Sequence, residues 1–227
     1  MGKDDLFKKR RAQRQRRKHE YKKSRANSYL IVTEGVQTEP NYFNGIKKII
    51  EQNLGGNVDV VKCPLINVNG EGCSTHSLIV ETDRIVNKAN IIYQNVWIVF
   101  DKDDFEDFDS AIEEANKKGY KVAWSNQCFE YWLYLHFNYS DSALHRSEWN
   151  RKLDEIFQKH NLGDGTYHKN YENLFELVNT FNGLETAIKH SKRRMADYDP
   201  SSTKASIYDP GTTVYELAEE LRQYMYE

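Results

Sequence analysis

Apolar residues in the first 140 positions follow two rhythms. Short apolar runs at 29–32, 58–61, 96–100 and 120–124 are bounded by polar or glycine-containing stretches. Such runs suit strands covered on both faces. Between them, apolar residues recur at helical spacing: Tyr42, Phe43, Ile46, Ile49 and Ile50; Leu78, Ile79, Ile85 and Val86; Phe108, Ala111, Ile112 and Ala115. This predicts helices over 39–52, 75–89 and 107–118. Thr38 and Pro40 suit the start of the first, and Gly119 suits the end of the third. Alternating strands and helices predict an α/β fold with a mostly parallel sheet and flanking helices.

The pattern then changes. Residues 125–139, SNQCFEYWLYLHFNY, are rich in aromatics, and Asn126 can cap a helix carrying Phe129, Trp132, Leu133 and His136. Beyond 140 only helical spacing remains. It is marked by Trp149, Leu153, Ile156 and Phe157, then by Tyr171, Leu174, Phe175 and Val178, then by a helix over 184–195. A final helix runs through Val214, Leu217, Ala218 and Leu221. The expected organisation is a basic flexible arm at 1–27, an α/β core at 28–140, and a helical C-terminal elaboration at 141–227 packed on that core.

The overall charge of −2 conceals an asymmetry. Residues 1–25 hold twelve Lys or Arg against three Asp or Glu, a net of +9, so the remainder carries −11. Arg10, Arg11, Arg14, Arg16, Arg17 and Lys18 form the densest patch, and Lys192 and Arg193 belong to a second one on the 184–195 helix. Both suit phosphate contact, which releases counterions and is salt-dependent. A solubilising tail, an arm docked on the acidic body, and an ordinary solvated helix face fit the same residues. No apolar run is long enough to span a bilayer. The three cysteines are far apart and form neither a disulfide framework nor a zinc knuckle. A cytoplasmic protein without membrane contact is expected.

The candidate chemistry is acidic. The run NVWIVFDKDD at 95–104 ends in Asp101, Asp103 and Asp104, and Glu34 follows the first strand. Ligands of open α/β sheets bind beyond the strands' C-terminal ends. If the first and third strands are neighbours, Glu34 and Asp101 meet there. Asp103, two positions on, can face the same cation in extended chain. Hard carboxylate oxygens suit Mg²⁺. Alone, the Asp-x-Asp also fits a solvated turn. Glu130 lies close to the end of the fourth strand, where a surface or capping role is the plainer alternative. His76 reads as a cap or a phosphate contact, and His136 as a hydrogen-bonded aromatic.

Four segments carry a resemblance: LIVTEGVQTEPNYF at 30–43, VFDKDDF at 99–105, SNQCFEYWLYLHF at 125–137 and DPGTTVYELAEEL at 209–221. Together they resemble the RloB-like proteins, a Toprim-domain branch associated with bacterial anti-phage and restriction loci. The resemblance implies a Toprim-like sheet and catalytic roles for Glu34, Asp101, Asp103 and Glu130. Glu34, Asp101 and Asp103 are the implied ligands of Mg²⁺, with Mn²⁺ as a substitute. It further implies a metal-dependent endonuclease acting on RNA, with tRNA favoured over DNA, and an ATPase encoded beside it. The alternatives are a non-catalytic nucleic-acid-binding or regulatory subunit of an ATPase-containing complex, and nucleotidyl transfer. A homo-oligomer is compatible with all of these. Two positions depart from the pattern: Lys102 stands where arginine is common, and Gly211 where serine is common.

Overall fold

In the computed structural model the described residues are Lys8, Arg11, 23–24, 27–53, 57–62, 75–102, 106–199 and 204–225. Four parallel strands form the central sheet: β2 (Ser28–Thr33), β3 (Asn57–Lys62), β5 (Asn95–Lys102) and β6 (Lys121–Asn126). Their order is β3-β2-β5-β6. The two-residue strands β1 (Lys23–Ser24) and β4 (Ile91–Ile92) pair separately and in parallel. They are too short for periodicity to reveal.

The α/β expectation with a mostly parallel sheet holds. Side chains alternate across the sheet, as a pleated strand requires. Tyr29, Ile31, Trp97, Val99 and Ala123 join one buried cluster, which includes residues of α1 (Thr38–Asn53), α4 (Phe129–Leu135), α5 (Arg146–His160), α6 (Leu174–Val178), α7 (Gly183–Met195) and α8 (Val214–Arg222). Leu30, Val32, Ile98, Phe100 and Trp124 face the other way, toward α2 (Thr75–Lys88) and α3 (Phe108–Lys117). Burial on both faces explains why these strands read as apolar runs rather than as an alternation.

Two local expectations are corrected. Asn126 ends β6 and does not cap the next helix; Cys128 holds the N-cap position of α4. The backbone N–H of Asn126 donates to Gly211 O at 2.8 Å, and its Nδ2 donates to Tyr208 O at 2.9 Å. Those bonds tie it to the C-terminal segment. Gln127 turns the chain at φ 75°. The helix expected from Tyr171 is also shorter, spanning Leu174–Val178, and is followed by left-handed Phe181 and Asn182 (φ 60° and 59°).

The second residue of the long helix α1, Glu39, is buried, as is the second residue of α4, Glu130. A carboxylate in the first turn meets the positive end of the helix dipole. Both therefore sit where a helix N-terminus tolerates negative charge, beside the C-terminal ends of β2 and β5. The neighbours β2 and β5 are also where the strand order reverses direction, the usual location of a crevice in such sheets.

Candidate acidic cleft

Glu34 leaves β2 still in sheet register. Its backbone N–H donates to Val99 O at 2.9 Å, and Thr33 Oγ1 donates to Gly35 O at 2.9 Å. Glu34 Oε2 accepts the backbone N–H of Asp101 at 3.3 Å. Asp101 Oδ2 accepts the N–H of Phe129, the first residue of α4, at 3.1 Å. The expected neighbours β2 and β5 thus bring Glu34 and Asp101 together.

A cleft of about 380 Å³ opens over these residues. Four carboxylates line it: Glu34, Glu39, Asp101 and Glu130, joined by Cys128, Asn150 and the cations Arg146 and Lys169. Glu130 is 3% exposed. Its Oε1 accepts Tyr167 O–H at 3.1 Å and pairs with Lys169 Nζ at 2.9 Å. Both partners come from the 161–173 loop between α5 and α6. Asp164 organises that loop. It accepts Tyr171 O–H at 2.7 Å and the Thr166 N–H at 3.0 Å, and Tyr167 N–H donates to Asp154 at 2.9 Å.

Crowding sets the electrostatics. Burial, then repulsion from Glu39, Glu130 and Glu34, pushes the Asp101 carboxyl well above the usual carboxylate range, against the opposing Phe129 N–H. Burial raises Glu39 to about 7, with repulsion from Glu130 adding to it and Lys169 opposing. Burial opposes the charge on Lys169, but Glu130 outweighs it and the ammonium is held above its ordinary value. The Cys128 thiol is pushed up by burial and by Glu130 and Asp101, so it is a poor source of thiolate.

The sequence-derived site is thus brought together at Glu34, Asp101 and Glu130. Asp103 lies outside the described residues. The arm patch does too, at Arg10, Arg14, Arg16, Arg17 and Lys18; Arg11 is helical and exposed. In the second basic patch Lys192 pairs with Glu219 at 2.6 Å, and Arg193 lies over the Tyr139 ring at 4.1 Å. Neither lines the cleft. Tyr42 packs edge-on against Phe43, Phe129 and Phe175, and its O–H reaches His136 at 3.1 Å. His76 bridges helices instead, contacting Glu114 at 2.6 Å and Ser110 at 3.3 Å. A side chain at Gly211 would press on Tyr208 O and the Trp124 ring.

The sequence reading missed Glu39 and Lys169 among the cleft residues, and also Tyr167, which binds Glu130. Glu39 carried a weak signal, an acidic residue in the first turn of a helix that follows a strand. The other two carried none, because no periodicity relates a polar loop to residues more than thirty positions away.

The carboxylate oxygens are hard donors of the kind Mg²⁺ prefers. Their arrangement does not fit a metal ion, however. Among the described residues no group of three or more Asp, Glu, His or Cys side chains converges to hold one. Glu130 is instead neutralised by Lys169.

Comparison with known proteins decides the family. A family model described as RloB-like protein matches residues 29–221. The chain belongs to the RloB-like family. This family is a Toprim-domain branch linked to phage-defence loci, and the observed sheet agrees with a Toprim-like architecture. No curated protein and no solved structure matches the chain. Among the described residues no helix of this RloB-like chain is long and apolar enough to cross a membrane.

Proposed function

We propose that this RloB-like protein works as a nucleic-acid-binding or regulatory subunit of an ATPase-containing defence complex, with its acidic cleft held in a neutralised state. One observation carries this reading: Lys169 and Tyr167 both bind the same oxygen of buried Glu130, inside the cleft. The basic arm supplies the phosphate-seeking surface, which recognises backbone rather than sequence. The test is to purify the chain with its locus-encoded ATPase and assay RNA, tRNA and DNA with Mg²⁺ or Mn²⁺. Retained nucleic acid without fragments supports this reading, and site-dependent fragments overturn it.

A second reading is a Mg²⁺-dependent endonuclease acting on RNA, with tRNA favoured. The observation behind it is the crowding of four carboxylates at the switch point. Functional sites are where such perturbation concentrates. Glu34, Asp101 and Asp103 would hold the cation and Glu130 would support them. In this reading, sequencing of RNA and DNA ends after expression with the neighbouring genes detects cleavage by wild type and none by Asp101→Asn. If Glu34→Gln and Asp101→Asn both leave cleavage intact, the chemistry lies elsewhere.

A further inference from the structure

An aromatic surface runs along α7, away from the cleft. Phe181, just ahead of that helix, is 75% exposed and sits at φ 60°. Left-handed backbone suits Gly and Asn, and a bulky residue held there is an outlier that points to function. Burial does not hold the ring in place either. It lies 5.8 Å from the His160 ring, which is stacked in turn on half-buried Phe137 at 5.8 Å and 25°. Two positions after Phe137, Tyr139 starts a second group. Its ring meets His190 edge-on at 5.9 Å and carries the Arg193 guanidinium at 4.1 Å. The two groups are spread along α7 over roughly 15 Å, at a rise of about 1.5 Å per residue. Arg193 and Lys189, one turn earlier, are exposed, and among the described residues neither has a carboxylate partner. Lys192 and Arg194 are engaged within the fold, by Glu219 and by Pro210 O and Asp197.

We propose that this surface is a stacking platform for single-stranded nucleic acid: one base lies on the Phe181 ring, another on the Arg193 guanidinium, and Lys189 between them meets the phosphates. This deepens, and rests on, the reading of the chain as a nucleic-acid-binding subunit. An aromatic ring or a guanidinium plane offers a sequence-tolerant face to a base. In a duplex the bases are stacked on one another and withhold that face, whereas splayed single strands present it. The arm's charges seek phosphates in single and double strands alike. The platform is then the part of the molecule that tells the two forms apart.

The full-length chain is titrated with a short fluorescein-labelled single-stranded RNA, and with the same strand in a duplex, and read by anisotropy. Phe181→Asn suits left-handed backbone and removes only the ring. It should weaken single-strand binding about fivefold or more, the scale of one lost base stack, and leave duplex binding unchanged. Arg193→Lys keeps the charge without the plane, and should weaken single-strand binding severalfold with an unchanged salt slope. A measurement on unaltered protein covers the case in which a variant fails to fold. Iodouridine placed in the single strand should photo-crosslink to the peptide that carries Phe181, read by mass. Unchanged single-strand affinity in Phe181→Asn, an equal loss for single strand and duplex, or crosslinks confined to residues 1–27 overturns the platform and leaves nucleic-acid binding standing. Failure of the wild-type chain to bind either RNA overturns both.

Discussion

Asp101 is held by Glu34 and repelled by it at once. Its backbone N–H donates to Glu34 Oε2 at 3.3 Å, while the Glu34 charge adds to the crowding that raises the Asp101 carboxyl. The backbone bond fixes geometry; the charges oppose it. Folding raises the Asp101 pKa, so its favourable contribution is complete below the unfolded value of 3.8 and is lost as pH rises through the folded value. Asp101→Asn keeps an oxygen for the Phe129 N–H and removes the repelled charge. Its stability advantage over wild type should grow with pH. Urea melts at pH 4 and pH 7.5 check this, and an advantage that shrinks with pH would contradict it.

Glu39 gives the same sign over a defined window. Its pKa rises from 4.5 to about 7. Stability attached to this group is full below pH 4.5 and declines toward pH 7, by at most about 3 kcal/mol. Glu39→Gln should flatten that decline. A parallel pH series of melting temperatures for the two proteins measures it.

Gly35 is constrained by the same carboxylate, since a Cβ there would collide with Glu39 Oε1 and Oε2. Gly35→Ala should cost about 1–3 kcal/mol, the usual scale of overpacking. In a Glu39→Ala background the cost should largely vanish. A double-mutant cycle by denaturant unfolding reads the coupling.

His136 is a structural group. Its Nδ1 faces Trp132 O at 3.0 Å, so that nitrogen carries the proton and Nε2 accepts from Tyr42 O–H. Burial lowers its pKa from 6.5 to about 3. Here the sign is reversed: the stabilisation is present above pH 6.5 and is lost as pH falls toward 3. His136 should show no titration between about pH 5 and 8 by NMR. Tyr42→Phe orphans Nε2 and should cost roughly 1–3 kcal/mol in chemical unfolding.

Nucleic-acid binding should depend on the arm. Replacing Arg10, Arg11, Arg14, Arg16, Arg17 and Lys18 by Gln should weaken binding to RNA and DNA alike. It should also flatten the salt dependence by roughly one in log–log slope per lost phosphate contact. Fluorescence anisotropy across a salt series decides it. An unchanged slope would sink the assignment of the arm to phosphate.

The sheet and its helices were legible because apolar burial dictates spacing. Each long element occupies nearly the residues its periodicity marks, as with α1 and α3. Glu34 and Asp101 were legible because strand ends locate them. Glu130 was marked by its place near the end of the fourth strand, while its catalytic role was implied only by the family segment. Asn126 was misjudged because a good capping residue is equally good at satisfying distant carbonyls, and here Tyr208 O and Ser206 O claim its amide. Lys169 and Tyr167 were invisible because their role depends on long-range contacts fixed by the fold.

The outer edge of β6 is completed from far along the chain. Ser125 pairs with Thr212, 87 positions downstream, and Thr213 N–H donates to Trp124 O at 2.8 Å. Translation proceeds at roughly 5–20 residues per second. The strand leading to Glu130 therefore emerges several seconds before the residues that seal it, and Lys169 arrives between the two. A nascent chain passes through a stage with the carboxylates made and the edge of β6 uncovered. Products ending before residue 211 would remain at that stage, with a strand edge free to pair with other chains.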